Sequence, residues 1–374
     1  MHSPACAGSP QPSSLECAGV ESLPCSAPIA DAGDVSQRRQ ANAPPHSCSS
    51  DQSDAEALTA GGQLPGLTGI NECTARERFP WQVTLLSQVL ELQKPCVRMK
   101  DPERVEELVC KLIKGGPKKL QVVTDFDHTI SRSHYNGKPC RSTHSVLESS
   151  SLISEEYRLQ AQRIHDKYHP IEIDPNMSTA EKIPHMVEWY SRSHAILVNC
   201  GVKKSDIPEL VAGSSIMLRD GCESFFEMLH EHQIPTLVFS AGLGDILEEA
   251  LRHFQCHFPN LKFISNYMQF DEEGNITGFK GELIHMYNKN SCHMTSPEYH
   301  QAVKEKTNIV LLGDSLGDID MLAGGHLQDV VLRIGFLNTK IEERLPQFLN
   351  SFDIVLLDDQ TMDVVNGILR KIIY

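Results

Sequence analysis

Two apolar stretches in this chain each run straight into a cluster of carboxylates, and that repetition limits the folds open to it. Leu120-Gln121-Val122-Val123-Thr124 leads into Asp125-Phe126-Asp127-His128-Thr129, and Asn308-Ile309-Val310-Leu311-Leu312 leads into Gly313-Asp314-Ser315-Leu316-Gly317-Asp318. Short apolar runs bounded by turn residues read as buried strands of a parallel sheet. In open α/β sheets ligands bind beyond the carboxyl ends of the strands, so the two clusters are expected to converge in one crevice. Carboxylates gathered there repel one another unless a cation sits among them, and hard oxygen ligands of this kind suit Mg²⁺. An Asp after a strand can also merely cap the next helix or turn, a role that explains one cluster more easily than two.

The rest of the chain supplies more strands alternating with helices. Thr236-Leu237-Val238-Phe239 predicts a strand ending at Ser240-Ala241-Gly242, with a helix starting near Gly244 whose N–H groups, together with the Ser240 hydroxyl, make an anion site. Phe263-Ile264-Ser265 leads into a hairpin turning at Asp271–Asn275, and Lys289 follows that hairpin. Val330–Ile334 and Ile354–Leu357 are strand-like, and a last helix is expected over Met362–Ile372. A further helix opens at Asp101-Pro102, with Asp as N-cap and Pro at the first position, and ends at Gly115-Gly116. The fold class expected is therefore α/β with a doubly wound parallel sheet.

Residues 141–218 read differently. Helix starts at Ser154 and at the Ser178-x-x-Glu181 capping box, with an extended segment over His169–Pro175 between them, predict a helical cap inserted into a core formed by 97–140 and 219–374. Residues 1–75 hold no Phe, Trp or Tyr and are rich in Ser, Ala, Pro and Gly. Such a stretch cannot bury enough apolar surface to offset its ordering entropy, so residues 1–78 are expected to be a disordered tail, with order beginning near Phe79.

A formal charge of −15 argues against a nucleic-acid surface. The twelve cysteines form no Cys-x-x-Cys pair, and Cys292, His293 and His285 match no common zinc spacing. Free thiols in a reducing compartment are expected. No apolar run is long enough to span a bilayer and no signal peptide is evident, which predicts a cytoplasmic protein without a membrane partner.

The order Asp-x-Asp-x-Thr, strand ending in Ser, Lys, then Gly-Asp-x-x-x-Asp resembles the haloacid dehalogenase superfamily of phosphohydrolases. Pro170-Ile171-Glu172-Ile173-Asp174-Pro175, His185-Met186-Val187-Glu188-Trp189, Phe239-Ser240-Ala241-Gly242, Asn288-Lys289 and Leu312-Gly313-Asp314-Ser315 further resemble the cytosolic 5′-nucleotidase III family, over about residue 97 to the C-terminus. The resemblance implies a Mg²⁺-dependent phosphatase, a monomer, acting on nucleoside 5′-monophosphates with a pyrimidine or 7-methylguanine base. Asp125 would be the nucleophile and Asp127 the general acid. Mg²⁺ would be held by Asp125, Asp314 and the backbone carbonyl of Asp127, and the phosphate by Ser240, Ala241 and Lys289. Asp318 would either ligate through water or orient Lys289, with Thr129 in support. Glu172 and Ser193 would contact the substrate from the cap, and His185 is a further candidate for the base. Two positions depart from the family pattern. His128 stands where Met is usual and Ser133 where an aromatic residue is expected, a loss for which His134 or Tyr135 would have to compensate. A phosphatase of another substrate class, such as one for phosphoserine, and a catalytically silent binding protein are the competing readings.

Overall fold

The computed structural model describes residues 85–174, 176–293, 296–324 and 328–374. The tail expected to be disordered and the onset of order expected near Phe79 lie outside the described residues. Strands are β1 Val97–Arg98, β2 Leu120–Thr124, β3 His134–Tyr135, β4 Lys138–Pro139, β5 Thr236–Leu243, β6 Leu261–Phe270, β7 Ile276–Lys280, β8 Asn308–Gly313, β9 Val330–Leu337 and β10 Ile354–Leu357. Helices are α1 Leu85–Gln88, α2 Pro102–Lys119, α3 Glu155–Glu172, α4 Thr179–Val198, α5 Ile207–Ala212, α6 Cys222–Glu231, α7 Gly244–His253, α8 Pro297–Val303, α9 Ile341–Ser351 and α10 Asp363–Ile373.

Eight strands form one sheet in the order β1-β10-β9-β8-β2-β5-β6-β7, and β3 pairs with β4 in a separate ribbon. The six inner strands run parallel, with antiparallel pairs at both edges. Alternate residues of each inner strand enter different cores. Val122, Val310 and Leu312 pack with α2, α6, α7 and α10, whereas Val123, Ile309 and Leu311 pack with α8 and α9. That period of two, read on a strand buried on both faces, is why β2 and β8 appear in the sequence as unbroken apolar runs.

Local chemistry accounts for most helix ends. Asp101 caps α2 by accepting the Arg104 N–H at 3.0 Å, and Pro102 occupies the first turn. The end expected at Gly115-Gly116 is a kink: Gly116 takes a left-handed φ of 63° and helical turns resume as far as Lys119. The capping box of α4 forms as predicted, with Ser178 and Glu181 bonded reciprocally.

The extended segment expected over His169–Pro175 does not form. Helix α3 continues through Pro170 to Glu172, so Glu172 sits in a final helical turn and not in a loop; Pro175 lies outside the described residues. A proline inside a helix costs about 3 kcal/mol. Packing against α4 offsets this, since Tyr168 is fully buried and stacks on Trp189 with centroids 6.0 Å apart. None of the helices among the described residues is long and apolar enough to cross a membrane.

The helical insertion is tied to the sheet by an unusual aromatic contact. His194 of α4 lies flat on Phe279 of β7, ring centroids 3.6 Å apart and planes 8° from parallel. Burial pushes the His194 imidazole down to about 3, and His144 beside it pushes the same way. An unfolded His takes up its proton near 6.5, so below that pH the unfolded chain binds more protons and stability falls as pH drops from about 6.5 toward the folded value. His194→Phe keeps the stack and removes the titration. It should flatten part of the fall in Tm between about pH 6.5 and about pH 4, measured by circular dichroism; an unchanged slope would mean that this ring does not stay neutral in the fold.

Candidate active site

β2, β5 and β8 are adjacent and parallel, so the residues that follow them share one edge of the sheet. Asp125 follows β2, its N–H donating to the Leu312 carbonyl of β8 at 3.0 Å. Asp314 follows β8, and Ser240-Ala241-Gly242 lie in the irregular end of β5, where the register with β6 shifts between Phe239 and Leu243. Lys289 comes from the loop after β7. It is 4 % exposed, and its Nζ donates to Asp125 Oδ1 at 2.5 Å and Asp318 Oδ1 at 2.7 Å.

The electrostatics of this group are severe. Burial pushes the Asp125 carboxyl up to about 7, and Asp318 and Asp127 add to that while Lys289 opposes it. Burial, then Asp125 and Asp318, raise Asp314 well above the usual carboxylate range. Burial disfavours the Lys289 ammonium, yet Asp125 and Asp318 outweigh it and hold the proton on.

Carboxylate oxygens of Asp125, Asp314 and Asp318 lie within 4.8 Å of one another. They are not equivalent as ligands. Asp318 is already engaged: Oδ1 accepts from Lys289, and Oδ2 accepts from the Asp314 and Ser315 N–H groups at 3.1 and 2.9 Å and from the Ser315 hydroxyl at 3.0 Å. Asp125 Oδ2 is buried with no hydrogen-bond partner among the described residues. An orphaned buried carboxylate oxygen next to a second carboxylate fits a hard divalent cation, with Asp318 as the group that orients Lys289.

Asp127 turns away from that cluster. Its Oδ1 accepts the Thr143 N–H at 2.8 Å and its Oδ2 the Thr143 hydroxyl at 2.6 Å. Gly242 leaves room for the pair, since a Cβ there would stand 2.7 Å from Asp127 Oδ2. Asn266 of β6 fastens the neighbouring loops: its Nδ2 donates to the Ala241 and Ile284 carbonyls at 2.8 Å each, and its Oδ1 accepts the Ile284 N–H at 3.0 Å. One polar side chain therefore sets the Ser240 segment against the loop that carries Lys289.

All of this opens into a cavity of about 960 Å³, in which Asp125, Asp127, Ser240, Ala241, Lys289 and Asp314 face Glu172 and Ser193 from α3 and α4. Phe126 points into the core, as its apolar character predicts. Three expectations fail. His185 is half-buried but does not line the cavity, because at 3.6 residues per turn it lies roughly 80° around α4 from Ser193. Thr129 is fully buried and its hydroxyl has no partner among the described residues, so it gives the site no hydrogen bond. His134 and Tyr135 form the β3–β4 ribbon outside the cavity and do not compensate for Ser133. The rings that do line it are His128, His144, Tyr157, His165, His169, Trp189, Tyr190 and Tyr287. Trp189 was within reach of the sequence, one turn before Ser193 on the same helical face; Thr143 and Asn266 carried no such signal.

The sequence matches the family described as pyrimidine 5′-nucleotidase (UMPH-1) over residues 128–373. It is similar to a 7-methylguanosine phosphate-specific 5′-nucleotidase of Mus musculus, 47% identical over 290 residues that span 78% of this chain and 97% of the relative. The protein of that description from Drosophila melanogaster is 36% identical over 289 residues, 77% of this chain and 90% of the relative. The crystal structure of cytosolic 5′-nucleotidase IIIB bound to cytidine resembles the fold with a TM-score of 0.71 at 36% identity, covering 77% of this chain and 97% of that one. Matched along most of its folded length in sequence and in backbone, the chain belongs to the pyrimidine 5′-nucleotidase family and is a 5′-nucleotidase on a haloacid dehalogenase-like core.

Proposed function

We propose that the chain hydrolyses nucleoside 5′-monophosphates whose base carries an exocyclic amino group, cytosine or 7-methylguanine, through an aspartyl-phosphate on Asp125 and with Mg²⁺. The observation that carries the reading is the orphaned Asp125 Oδ2, presented beside Asp314 while Lys289 fixes the other oxygen of the same carboxylate. Asp125 attacks phosphorus as the P–O5′ bond breaks, and Asp127 gives its proton to the departing oxygen. Water then attacks the phosphoenzyme, Asp127 takes the water's proton, and the Asp125–phosphorus bond breaks to release phosphate. Thr143 holds Asp127 throughout, and Lys289 and Ser240 meet the non-bridging oxygens. Asp125, Asp314 and the Asp127 carbonyl would hold Mg²⁺, which would supply charge neutralisation for the phosphate.

Glu172 supports the choice of base. Burial pushes its carboxyl up to about 7 while Arg344 and Lys182 pull it back, and as a carboxylate it accepts hydrogen bonds from cytosine N4 or from guanine N1 and N2. Uracil has no exocyclic amine: beside its N3–H it presents an acceptor at position 4, where cytosine presents a donor. We read the protein as a monomer and place it in the cytosol, where a relative of known structure is described as residing. The core 97–140 with 219–374 then serves as the catalytic unit and 141–218 as the selecting cap.

Asp125→Asn should abolish turnover of CMP and leave the circular dichroism spectrum unchanged, since an amide nearly keeps the shape but forms no phosphoenzyme. Near wild-type rates, with reversion to Asp excluded by mass spectrometry, would remove Asp125 as nucleophile. EDTA should silence the wild type, and Asp314→Ala should raise the Mg²⁺ concentration needed for half-maximal rate. Full activity after exhaustive chelation is the contrary result. A hydrogen bond to a charged group is worth about 1.5 to 3 kcal/mol, so Glu172→Ala should lower kcat/KM for CMP roughly ten- to a hundredfold relative to that for ribose 5-phosphate. An equal loss on both would make Glu172 structural and not selective.

A further inference from the structure

Arg344 stands in the first turn of α9 and lines the same cavity as Glu172, from the side of the core. Its neighbours Lys340 and Glu343 pair with each other at 4.0 Å. Arg344 has no carboxylate within ion-pair distance among the described residues; its guanidinium instead lies 5.0 Å from the centroid of the Phe348 ring, which fixes its direction. From the opposite wall, Lys182 of α4 is 8 % exposed and donates to the Glu172 backbone carbonyl at 2.7 Å. Glu172 is thus flanked by two cations, of which Lys182 is partly answered by Asp174. The charge on Arg344 also reaches Tyr287, another wall of the cavity.

We propose that Arg344 is a specificity-determining residue of the base site, its positive charge beside Glu172 favouring a neutral donor-bearing base such as cytosine over a cationic one such as N7-methylated guanine. The inference rests on Glu172 reading the base. Both bases offer N–H donors to a carboxylate, so hydrogen bonding alone does not separate them. Charge does, because methylation at N7 uses the ring's lone pair and leaves the purine with a formal positive charge. Repulsion between two unit charges across a half-buried site is worth about tenfold or more in relative affinity. Glu172 attracts the cationic base, and Lys182 and Arg344 oppose that attraction; Lys182 is tied to the Glu172 backbone carbonyl, whereas the Arg344 guanidinium lies against Phe348 with no ion-pair partner among the described residues, so it is Arg344 that a base can meet directly.

The test compares kcat/KM for CMP and for 7-methyl-GMP in the wild type, Arg344→Gln, Arg344→Lys and Glu172→Ala, with inhibition constants for cytidine and 7-methylguanosine as a readout of binding. The CMP to 7-methyl-GMP ratio should fall about tenfold in Arg344→Gln and stay near the wild-type value in Arg344→Lys, which keeps the charge. The two inhibition constants should move in the same sense. Arg344 lies on a surface helix and both variants retain a long polar side chain, so folding is checked simply by Tm. If Glu172→Ala depresses both nucleotides against ribose 5-phosphate but Arg344→Gln leaves the ratio unmoved, the role of Arg344 is wrong and the base-reading role of Glu172 stands. If Glu172→Ala depresses neither, the base-site reading has failed and the inference falls with it.

Discussion

Lys289 is a buried ammonium between two buried carboxylates, and the site is organised around that contact. Removing one member of such a group strands an unpaired charge in a poorly solvated place, at a cost of about 3 to 5 kcal/mol. The pairing is also incomplete. One ammonium faces Asp125, Asp318 and Asp314, and Asp314 is pushed well up by burial and by the other two carboxylates. A phosphate ester entering this crevice brings still more negative charge. The residues of the chain alone do not balance it, which is the physical ground for a divalent cation at the orphaned Asp125 oxygen.

Holding such a group in place requires rigid loops beyond the strand ends. Arg219 supplies much of that rigidity. Its guanidinium is 1 % exposed and donates to the backbone carbonyls of Thr129, His128 and Asp359 and to the Asn338 side chain, with its face 4.2 Å from the Phe336 centroid. It bonds to no carboxylate among the described residues, and burial lowers it to about 10. Five donors in a planar fork can satisfy several carbonyls at once where a lysine could not, so three loops at the carboxyl edge of the sheet are tied through one side chain. His128 takes a left-handed φ of 61° within that net, a conformation that the surrounding bonds over-determine.

What the sequence made legible was whatever local chemistry dictates. The runs Leu120–Thr124 and Asn308–Leu312, the Asp101 cap and the Ser178 box all formed where propensity and side-chain hydrogen bonding place them. Asp125, Ser240 and Asp314 could be expected together because strand order in a parallel sheet brings successive carboxyl ends to one edge, whereas Lys289, beyond the antiparallel β7, was placed with them only by the family resemblance. The misses have a common cause, which is tertiary packing. Pro170 signals a break when read locally, but Tyr168 on Trp189 repays the lost hydrogen bond and carries α3 on to Glu172. His185 was chosen for its residue type, whereas position on the helix decided that Trp189 and not His185 meets the cavity. Asn266 and Thr143 act across 18 and 16 residues of sequence, and nothing in their own neighbourhood announces it.

The two halves of the cavity answer to different constraints. Groups at the sheet edge are locked by hydrogen bonds to backbone and to one another, so their geometry tolerates little change: a Cβ at Gly242 would crowd Asp127, and one at Gly313 would stand 2.5 Å from Asp318 Cβ. Glu172 and Arg344, at the other end of the cavity, are held chiefly through the helices that carry them. Glu172 accepts no hydrogen bond on its carboxylate among the described residues, and the Arg344 side chain lies against a ring and not a partner charge. On the reading proposed above, substitution there alters the field and shape of the base site and leaves the hydrogen bonds between Lys289, Asp125 and Asp318 in place. On that reading the fold can change which base it accepts by single exchanges on helix faces while the hydrogen-bonded groups at the sheet edge stay fixed, and that separation follows from the sheet topology itself.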